Sequence, residues 1–179
     1  MGNVNFKPIQ TLQKTGFSAI SGSTIVITND LNDDNKTYVY QKEGNQYKQT
    51  QVIEGGGDSA AISGSTIVIS DNKTYVYQKE GNQYKQTQVI EEGGNVAISG
   101  STIVITSFED NNTYVYQKEG NQYKQTQVIE GEGEGNVAIS GSTIVSTSFG
   151  VNKTYVYQLQ NQTSFTIEAE GGGGGEEER

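Results

Sequence analysis

The sequence predicts an all-β fold built from repeated units, and three observations support this. The block Thr37–Glu54, which reads TYVYQKEGNQYKQTQVIE, recurs unchanged at Thr74–Glu91 and Thr113–Glu130, and a degraded copy starts at Thr154. A second motif, AISGSTIV, precedes each copy and begins at positions 19, 61, 97 and 138. Apolar and polar residues alternate within the units, and no segment shows the period of a helix. A repeat of roughly forty residues with several short strands indicates a β-propeller, here with four four-stranded blades.

Each unit divides into four predicted strands, and the third unit shows the division most clearly. Gly100 follows the first strand and Gly120 follows the third, because glycine adopts the positive φ of tight turns without a Cβ clash. Alternation and enrichment in β-branched and aromatic residues favour strand over helix in all four segments. In order, the predicted strands are Val96–Ser99, Thr102–Thr106, TYVYQ and QYKQTQVI. The copied block is therefore the outer half of a blade, made of two strands and their turn.

The two ends of the chain differ from the units. Phe6–Leu12 aligns with Tyr47–Ile53, so residues 5–12 are predicted to be a spare outer strand that completes the last blade, near Tyr155–Gln158, and closes the ring. The predicted propeller covers residues 1–168, with units starting near 19, 61, 97 and 138. Residues 169–179 are rich in Gly and Glu and are predicted to be a disordered tail. The alternative architecture is an open repeat array, or a half-ring that dimerises.

The units resemble a known family of repeats. The residues that carry the resemblance are GFSAISGSTIVI at Gly16–Ile27, NVAISGSTIVI at Asn95–Ile105, the paired tyrosines of TYVYQ, and NQYKQTQVI. Together they resemble FG-GAP-type β-propeller repeats, the class found in integrin α-chain heads, from about Phe6 to Ile167. The chain departs from this family, since its Phe-Gly is reversed as Gly16-Phe17. The resemblance implies extracellular adhesion or ligand binding through the loops.

The same resemblance implies calcium binding in the loop between the second and third strands of a blade. In the first unit Asp30, Asn32 and Asp34 alternate along this loop, as the oxygen ligands of a hard cation do. These three residues are the candidate metal ligands, and calcium is the only cofactor that the sequence suggests. The corresponding loops of the other units carry fewer acidic residues, so a solvated polar turn is the competing interpretation.

The composition argues against several classes of function. The chain has 179 residues and a net charge of −9, which disfavours nucleic acid or an anionic membrane as a partner. It has no His and no Cys, so the commonest general base and the thiol nucleophile are absent. The acidic residues lie in glycine-rich linkers or copied turns and do not suggest a catalytic pair. The sequence therefore predicts that the protein is not an enzyme.

The predicted function is a non-enzymatic repeat scaffold or binding module, either monomeric or homodimeric. One alternative is an artificial or purely structural repeat protein without a ligand. Another is a calcium-dependent adhesin-like or lectin-like propeller, whose tyrosines stack on sugars rather than fill the spaces between blades. A protein or a glycan is the expected kind of partner, and the sequence does not indicate a compartment. Any specificity is expected in the variable loops Thr28–Lys36, Ser70–Lys73, Thr106–Asn112 and Thr147–Lys153.

Overall fold

The chain forms β-strands and turns, and no helix occurs among the residues that the structure describes. The structure is a computed structural model that describes residues 4–29, 35–131 and 133–160. The strands are β1 (Phe17–Ser21), β2 (Thr24–Asn29), β3 (Lys36–Glu43), β4 (Gln46–Glu54), β5 (Ser59–Ser63), β6 (Thr66–Ser70), β7 (Thr74–Glu80), β8 (Gln83–Ile90), β9 (Gly94–Ser99), β10 (Thr102–Ser107), β11 (Thr113–Glu119), β12 (Gln122–Ile129), β13 (Val137–Ser140), β14 (Thr143–Ser148) and β15 (Lys153–Gln158).

These strands form four antiparallel sheets, and each sheet follows the order of the sequence. Sheet 1 contains β1 to β4, sheet 2 contains β5 to β8, and sheet 3 contains β9 to β12. Sheet 4 contains β13, β14 and β15 within the described residues. The predicted all-β class and the repeated four-strand unit are confirmed, because each copied block forms the third and fourth strands of sheets 1 to 3.

The register places copied side chains in the same rows of every complete sheet. In sheet 3, Val104 lies opposite both Ala97 and Val115, so these three residues share one face. The pairing of β11 with β12 shifts by one residue between Val115 and Tyr116, and the same shift occurs in sheets 1 and 2. The extra residue in sheet 3 is Thr126, whose hydroxyl donates to the Val115 carbonyl oxygen at 3.3 Å. A bulge of this kind bends the outer half of each sheet.

Neighbouring sheets pack face to face through their apolar rows. The innermost strands contact one another in series, β1 with β5, β5 with β9, and β9 with β13. Between sheets 1 and 2, Val39 and Ile53 meet Tyr77 and Tyr84 in one buried cluster. The equivalent residues of sheets 2 and 3 form the next cluster, namely Val76, Ile90, Tyr116 and Tyr123. Each complete sheet thus presents a valine face to the following sheet and a tyrosine face to the preceding one.

The series of sheets is not closed into a ring. No packing between β13 and β1 matches that between successive inner strands, and β15 pairs only with β14 among the described residues. Val156 on β15 is 69% exposed, whereas its equivalents Val39 and Val76 are fully buried by the sheet that follows them. The architecture is therefore a propeller-like array, and no described residue covers the valine face of its last sheet.

The N-terminal segment lies against sheet 1 rather than against the last sheet. The side-chain amide of Gln10 donates to the Tyr47 carbonyl oxygen at 2.8 Å, and the Tyr47 N–H donates to Gln10 Oε1 at 2.7 Å. Leu12 packs against the cluster that contains Tyr38 and Tyr40. The predicted pairing of Phe6–Leu12 with the last blade is not formed in this structure, since these contacts hold the segment at sheet 1. The predicted tail, residues 169–179, lies outside the described residues.

In residues 4–29, 35–131 and 133–160 no helix is long and apolar enough to cross a bilayer.

Candidate functional site

The sequence differences between units collect at one end of the sheets, which we call the variable end. There the turn between the second and third strands of a sheet meets the linker to the next sheet. The Gly55 N–H donates to the Asn35 carbonyl oxygen at 3.1 Å, and the Gly133 N–H donates to that of Asn111 at 2.6 Å. The described residues of the variable end are 35, 54–58, 70–73, 91–94, 107–112, 130–131, 133–136 and 148–152. The opposite end carries the copied Gly-Ser and Gly-Asn turns.

A row of buried hydroxyl groups supports the variable end from below. In sheet 2, the hydroxyls of Ser70 and Thr74 lie 2.8 Å apart, and that of Thr74 also donates to the Glu92 carbonyl oxygen at 2.8 Å. In sheet 1, Thr28 and Thr37 form the same contact, and the Thr37 hydroxyl donates to the Gly55 carbonyl oxygen at 2.9 Å. In sheets 1 and 2, the copied threonine at the start of the block therefore ties the third strand to the linker that leads to the next sheet.

Two tyrosines of sheet 3 donate hydrogen bonds to carboxylates at the variable end. The Tyr114 hydroxyl donates to Asp110, which lies in the preceding turn, and the Tyr116 hydroxyl donates to Glu92, which lies in the linker from sheet 2. Burial raises the pKa of Tyr116 well above its ordinary value, and the hydrogen bond to Glu92 raises it further. The pKa of Tyr114 is also raised, chiefly by its hydrogen bond to Asp110.

The carboxylate of Asp110 is correspondingly held in its charged form. Burial acts to raise the pKa of Asp110, but hydrogen bonds from the Tyr114 hydroxyl, the Asn112 backbone and the Ser107 side chain together bring it below the ordinary value. Near neutral pH, the two tyrosines are therefore protonated donors and Asp110 is a charged acceptor. This arrangement orders the turn and leaves these three groups poorly suited to proton transfer at neutral pH.

A small pocket of about 220 Å³ opens at the variable end between sheets 1 and 2. Its walls are the apolar side chain of Ile69, the rings of Tyr75 and Tyr77, and the acidic side chains of Glu54 and Asp71. Burial raises the pKa of Tyr77, so this ring also contributes a protonated hydroxyl. The pocket is smaller than the usual range of about 300–1,000 Å³ for small-molecule sites.

The structure leaves the predicted calcium ligands untested. Asp30, Asn32 and Asp34 all lie outside the described residues. Among the residues that the structure describes, no group of three or more His, Cys, Asp or Glu side chains could hold a metal ion. Asp110, in the corresponding loop of sheet 3, accepts hydrogen bonds from protein groups. Calcium binding by the first loop therefore stays a prediction.

Sequence reasoning missed the glutamines that hold neighbouring outer strands together. The side-chain amide of Gln51 in sheet 1 donates to the Tyr84 carbonyl oxygen in sheet 2 at 2.8 Å. The Tyr84 N–H donates in turn to Gln51 Oε1 at 2.7 Å. Gln88 makes the same two bonds to Tyr123, each at 2.7 Å. We call this arrangement the glutamine clamp. The alignment of Gln10 with Gln51 was a signal for it, because glutamine is kept where neighbouring positions differ.

Comparison with known proteins supports the fold only. No family model matches the chain, and no curated protein matches it. Among solved structures, the chain is similar to the crystal structure of the computationally designed Ika4 protein, with a TM-score of 0.58 and 12% sequence identity. The match covers 87% of this chain and 99% of that one. At this identity the likeness shows a shared arrangement of antiparallel sheets, and the resemblance to FG-GAP repeats stays a prediction.

Proposed function

We propose that the chain is a non-enzymatic repeat scaffold, in which copied residues build the frame and the variable end presents the sequence that differs between units. One observation carries this proposal. Copied polar side chains repeat the same structural contacts from sheet to sheet, whereas the differences between units collect at a single end. An enzyme would be expected to concentrate converging reactive groups at one place instead.

The contacts of the copied residues recur from one sheet to the next. The hydroxyl oxygens of Ser21, Ser63 and Ser99 each accept the N–H of a turn glycine in the following sheet at 3.0 Å. Within the outer hairpins, the equivalent ion pairs Lys48–Glu43, Lys85–Glu80 and Lys124–Glu119 span 2.9, 3.0 and 2.7 Å. These exposed pairs contribute little stability each, so their role is local to the hairpin. Together with the glutamine clamp, these contacts give many of the copied residues a structural role that requires no ligand.

More specifically, we propose that the chain is a divergent FG-GAP-like propeller. Its partner, a protein or a glycan, contacts the variable end. The competing form is a purely structural repeat without a ligand. The similarity to a designed protein favours this second form. The unchanged copying of exposed side chains such as Lys42 and Lys48 also favours it, since surface positions of old repeats usually drift. The two forms share the same frame and differ only in whether the variable end binds.

Exchanging one variable turn tests the scaffold proposal. Residues 107–112 of sheet 3 would be replaced by the shorter turn of sheet 2, residues 71–73, in the full chain. We expect the free energy of unfolding to change by no more than about 1 kcal/mol, because surface loops tolerate changes in length. Urea denaturation followed by circular dichroism measures this. Loss of folding in the exchanged chain would mean that this turn is needed to build the sheets, and it would contradict the proposal.

A further inference from the structure

We propose that a second copy of this chain supplies the outer strand that sheet 4 lacks among the described residues. Its N-terminal segment, Phe6–Leu12, pairs with β15, and its Phe6 ring fills the groove between sheets 3 and 4. Two copies exchange these segments reciprocally and close one ring. This inference concerns assembly, so it goes beyond the scaffold function and does not depend on a ligand at the variable end.

The groove lies beside sheet 4, which has no outer strand among the described residues. It has a volume of about 850 Å³ and runs between Val115, Gln127 and Ile129 of sheet 3 and Ile144 and Tyr157 of sheet 4. In the two preceding junctions, the corresponding place holds an aromatic side chain from the outer strand of the following sheet. These aromatic residues are Tyr84 and Tyr123, which are 4% and 3% exposed. The groove therefore lies where an aromatic side chain packs in the two preceding junctions, and no described residue fills it.

A clamp glutamine already faces this groove. Gln127 occupies the same position on β12 as Gln51 on β4 and Gln88 on β8. Its side chain lines the groove and makes no hydrogen bond to any described residue, whereas both equivalents hold the backbone of an outer strand. Gln127 can therefore accept an N–H and donate to a carbonyl oxygen of an incoming strand.

The N-terminal segment has the sequence of an outer strand. Aligned with Tyr47–Ile53, it keeps an aromatic residue at Phe6, a lysine at Lys7, the clamp glutamine at Gln10 and an apolar residue at Leu12. The sequence that follows β15 in the same chain instead carries Thr163 at the aromatic position. An aromatic side chain fits the groove better than a threonine, because burial of a large apolar surface stabilises packing.

The segment of a second copy can reach the groove without giving up its present contacts. Within its own chain, the segment is fixed to sheet 1 through Gln10 and Leu12, while Phe6 is fully exposed and Ile9 is 74% exposed. In the aligned strand β4, the bulge at Thr50 interrupts the alternation, so Tyr47 and Gln51 lie on opposite faces of sheet 1. By the same register, Phe6 is expected on the side opposite to Gln10 and Leu12. When this segment binds β15 of another copy, its sheet 1 lies beside the uncovered valine face of that copy's sheet 4.

This contact is heterologous, since each copy offers the segment at one end and the groove at the other. Such contacts either close into a ring or continue as a filament. The open array already follows the packing of a propeller through four sheets, so we assign a closed ring, with two copies as the smallest number that closes it.

The mass of the full chain in solution, measured by light scattering after size exclusion and by sedimentation, tests the assembly. We expect a dimer, and we expect Phe6→Asp to raise its dissociation constant at least about a hundredfold, as for a buried aromatic anchor. Phe108→Asp is the matched control, because Phe108 lies on a turn of sheet 3 and its loss should leave the dimer intact. A monomeric wild-type chain, or a filament, would overturn the proposal. Circular dichroism checks that each variant is folded.

Cysteine cross-linking tests the register and identifies the chain that supplies the strand. Because Lys48 lies opposite Gln41 in sheet 1, Lys7 is expected opposite Gln158. The chain has no cysteine, so Lys7→Cys with Gln158→Cys introduces a defined pair. Oxidation should give a covalent dimer on a non-reducing gel.

Two other outcomes of the cross-linking would overturn the proposal. A linked monomer would mean that the segment closes on its own sheet 4. Absence of any cross-link would mean that another segment, such as residues 161–167 of the same chain, fills the groove. Lys7→Cys with Lys118→Cys is the control, since the equivalent edge of sheet 3 is already covered by β12 and should not cross-link.

Discussion

Gln51 illustrates how a polar residue on a largely exposed strand can determine the packing of two sheets. Its amide group satisfies both backbone groups of Tyr84, whose ring is buried between sheets 1 and 2. A buried aromatic residue thus gains a fixed backbone position from a side chain of the neighbouring sheet. Since an unsatisfied backbone group is costly away from water, the clamp contributes to stability as well as to alignment.

Substituting the clamp glutamine should therefore destabilise the fold. We expect Gln51→Ala to lower the free energy of unfolding by about 1–3 kcal/mol, because it leaves two backbone groups of Tyr84 without partners. Gln49→Ala, on the same strand, is the matched control and should change it by less than about 0.5 kcal/mol. Urea denaturation measures both values. Equal effects of the two substitutions would show that the clamp has no energetic role.

The buried hydroxyl of Tyr116 should make stability depend on alkaline pH. Its pKa is raised by burial and by the hydrogen bond to Glu92, whereas in the unfolded chain it titrates near its ordinary value of about 10. The stabilising contribution is therefore complete below pH ~10 and is lost as the pH rises from there toward the folded-state pKa.

We accordingly expect the melting temperature to fall above pH ~10 and Tyr116→Phe to reduce the steepness of that fall. At pH 7 the same substitution should cost about 1 kcal/mol, since it removes the hydrogen bond to Glu92. Thermal melts between pH 7 and 11 measure both effects. An unchanged alkaline slope in Tyr116→Phe would contradict the role assigned to this hydroxyl.

Among the elements, strands and turns were predictable from the sequence, and contacts between sheets were not. The predicted strand Thr102–Thr106 corresponds to β10, and the turn glycines Gly100 and Gly120 both have positive φ. Alternation reveals which residues share a face, because it depends on the backbone alone. It does not show which sheet a face meets. The glutamine clamp and the bulge at Thr126 depend on that packing, so the sequence pattern did not disclose them.

The candidate site was less predictable than the fold. The sequence directed attention to the loops between second and third strands, because these differ between units, and binding there stays a prediction. The tyrosine–carboxylate bonds of sheet 3 were not anticipated, since Glu92 belongs to a linker and reaches Tyr116 only when sheets 2 and 3 pack together. The candidate calcium ligands fall outside the described residues, and that part of the prediction is unresolved.

The start of each inner strand requires a close approach that only glycine permits. A Cβ atom at Gly94 would lie 1.9 Å from the Thr106 carbonyl oxygen on β10, whereas one at Gly100 would meet nothing within 4 Å. We expect Gly94→Ala to destabilise the protein by about 2–3 kcal/mol, because β9 and β10 must separate. Gly100→Ala should cost only about 1 kcal/mol, from its left-handed φ. Chemical denaturation of both variants compares them, and equal costs would contradict this account.

At the scale of the whole molecule, sheet 4 is the sheet with the least packing against the other described residues. The valine face of sheet 4 is uncovered, and β15 has an unpaired edge within the described residues. Repeat arrays gain stability from contacts between neighbouring units, so a terminal unit with one neighbour is the first to open. The ring of two copies would remove this weakness at both ends of the array.

Hydrogen exchange should reveal this dependence. We expect the amides of β15 to exchange at least about tenfold faster in Phe6→Asp than in the wild-type chain, because the variant leaves the edge strand without its partner. The amides of β7 and β11 should not change, since both strands lie between neighbours in either state. Mass spectrometry of the two proteins under the same conditions makes the comparison. Equal exchange at β15 would count against the exchanged strand.

The glutamine clamp also has a consequence for the gene. The two junctions between complete sheets use the same valine face, tyrosine face and clamp, so a coding segment that spans one whole unit brings both halves of a junction with it. Unequal recombination between the stretches of DNA that encode the identical blocks would then add or delete complete sheets without disturbing those that remain. A duplication of partial length would break the alternation and leave a clamp without its strand. The gene can therefore change in length by whole units far more readily than by fractions of one.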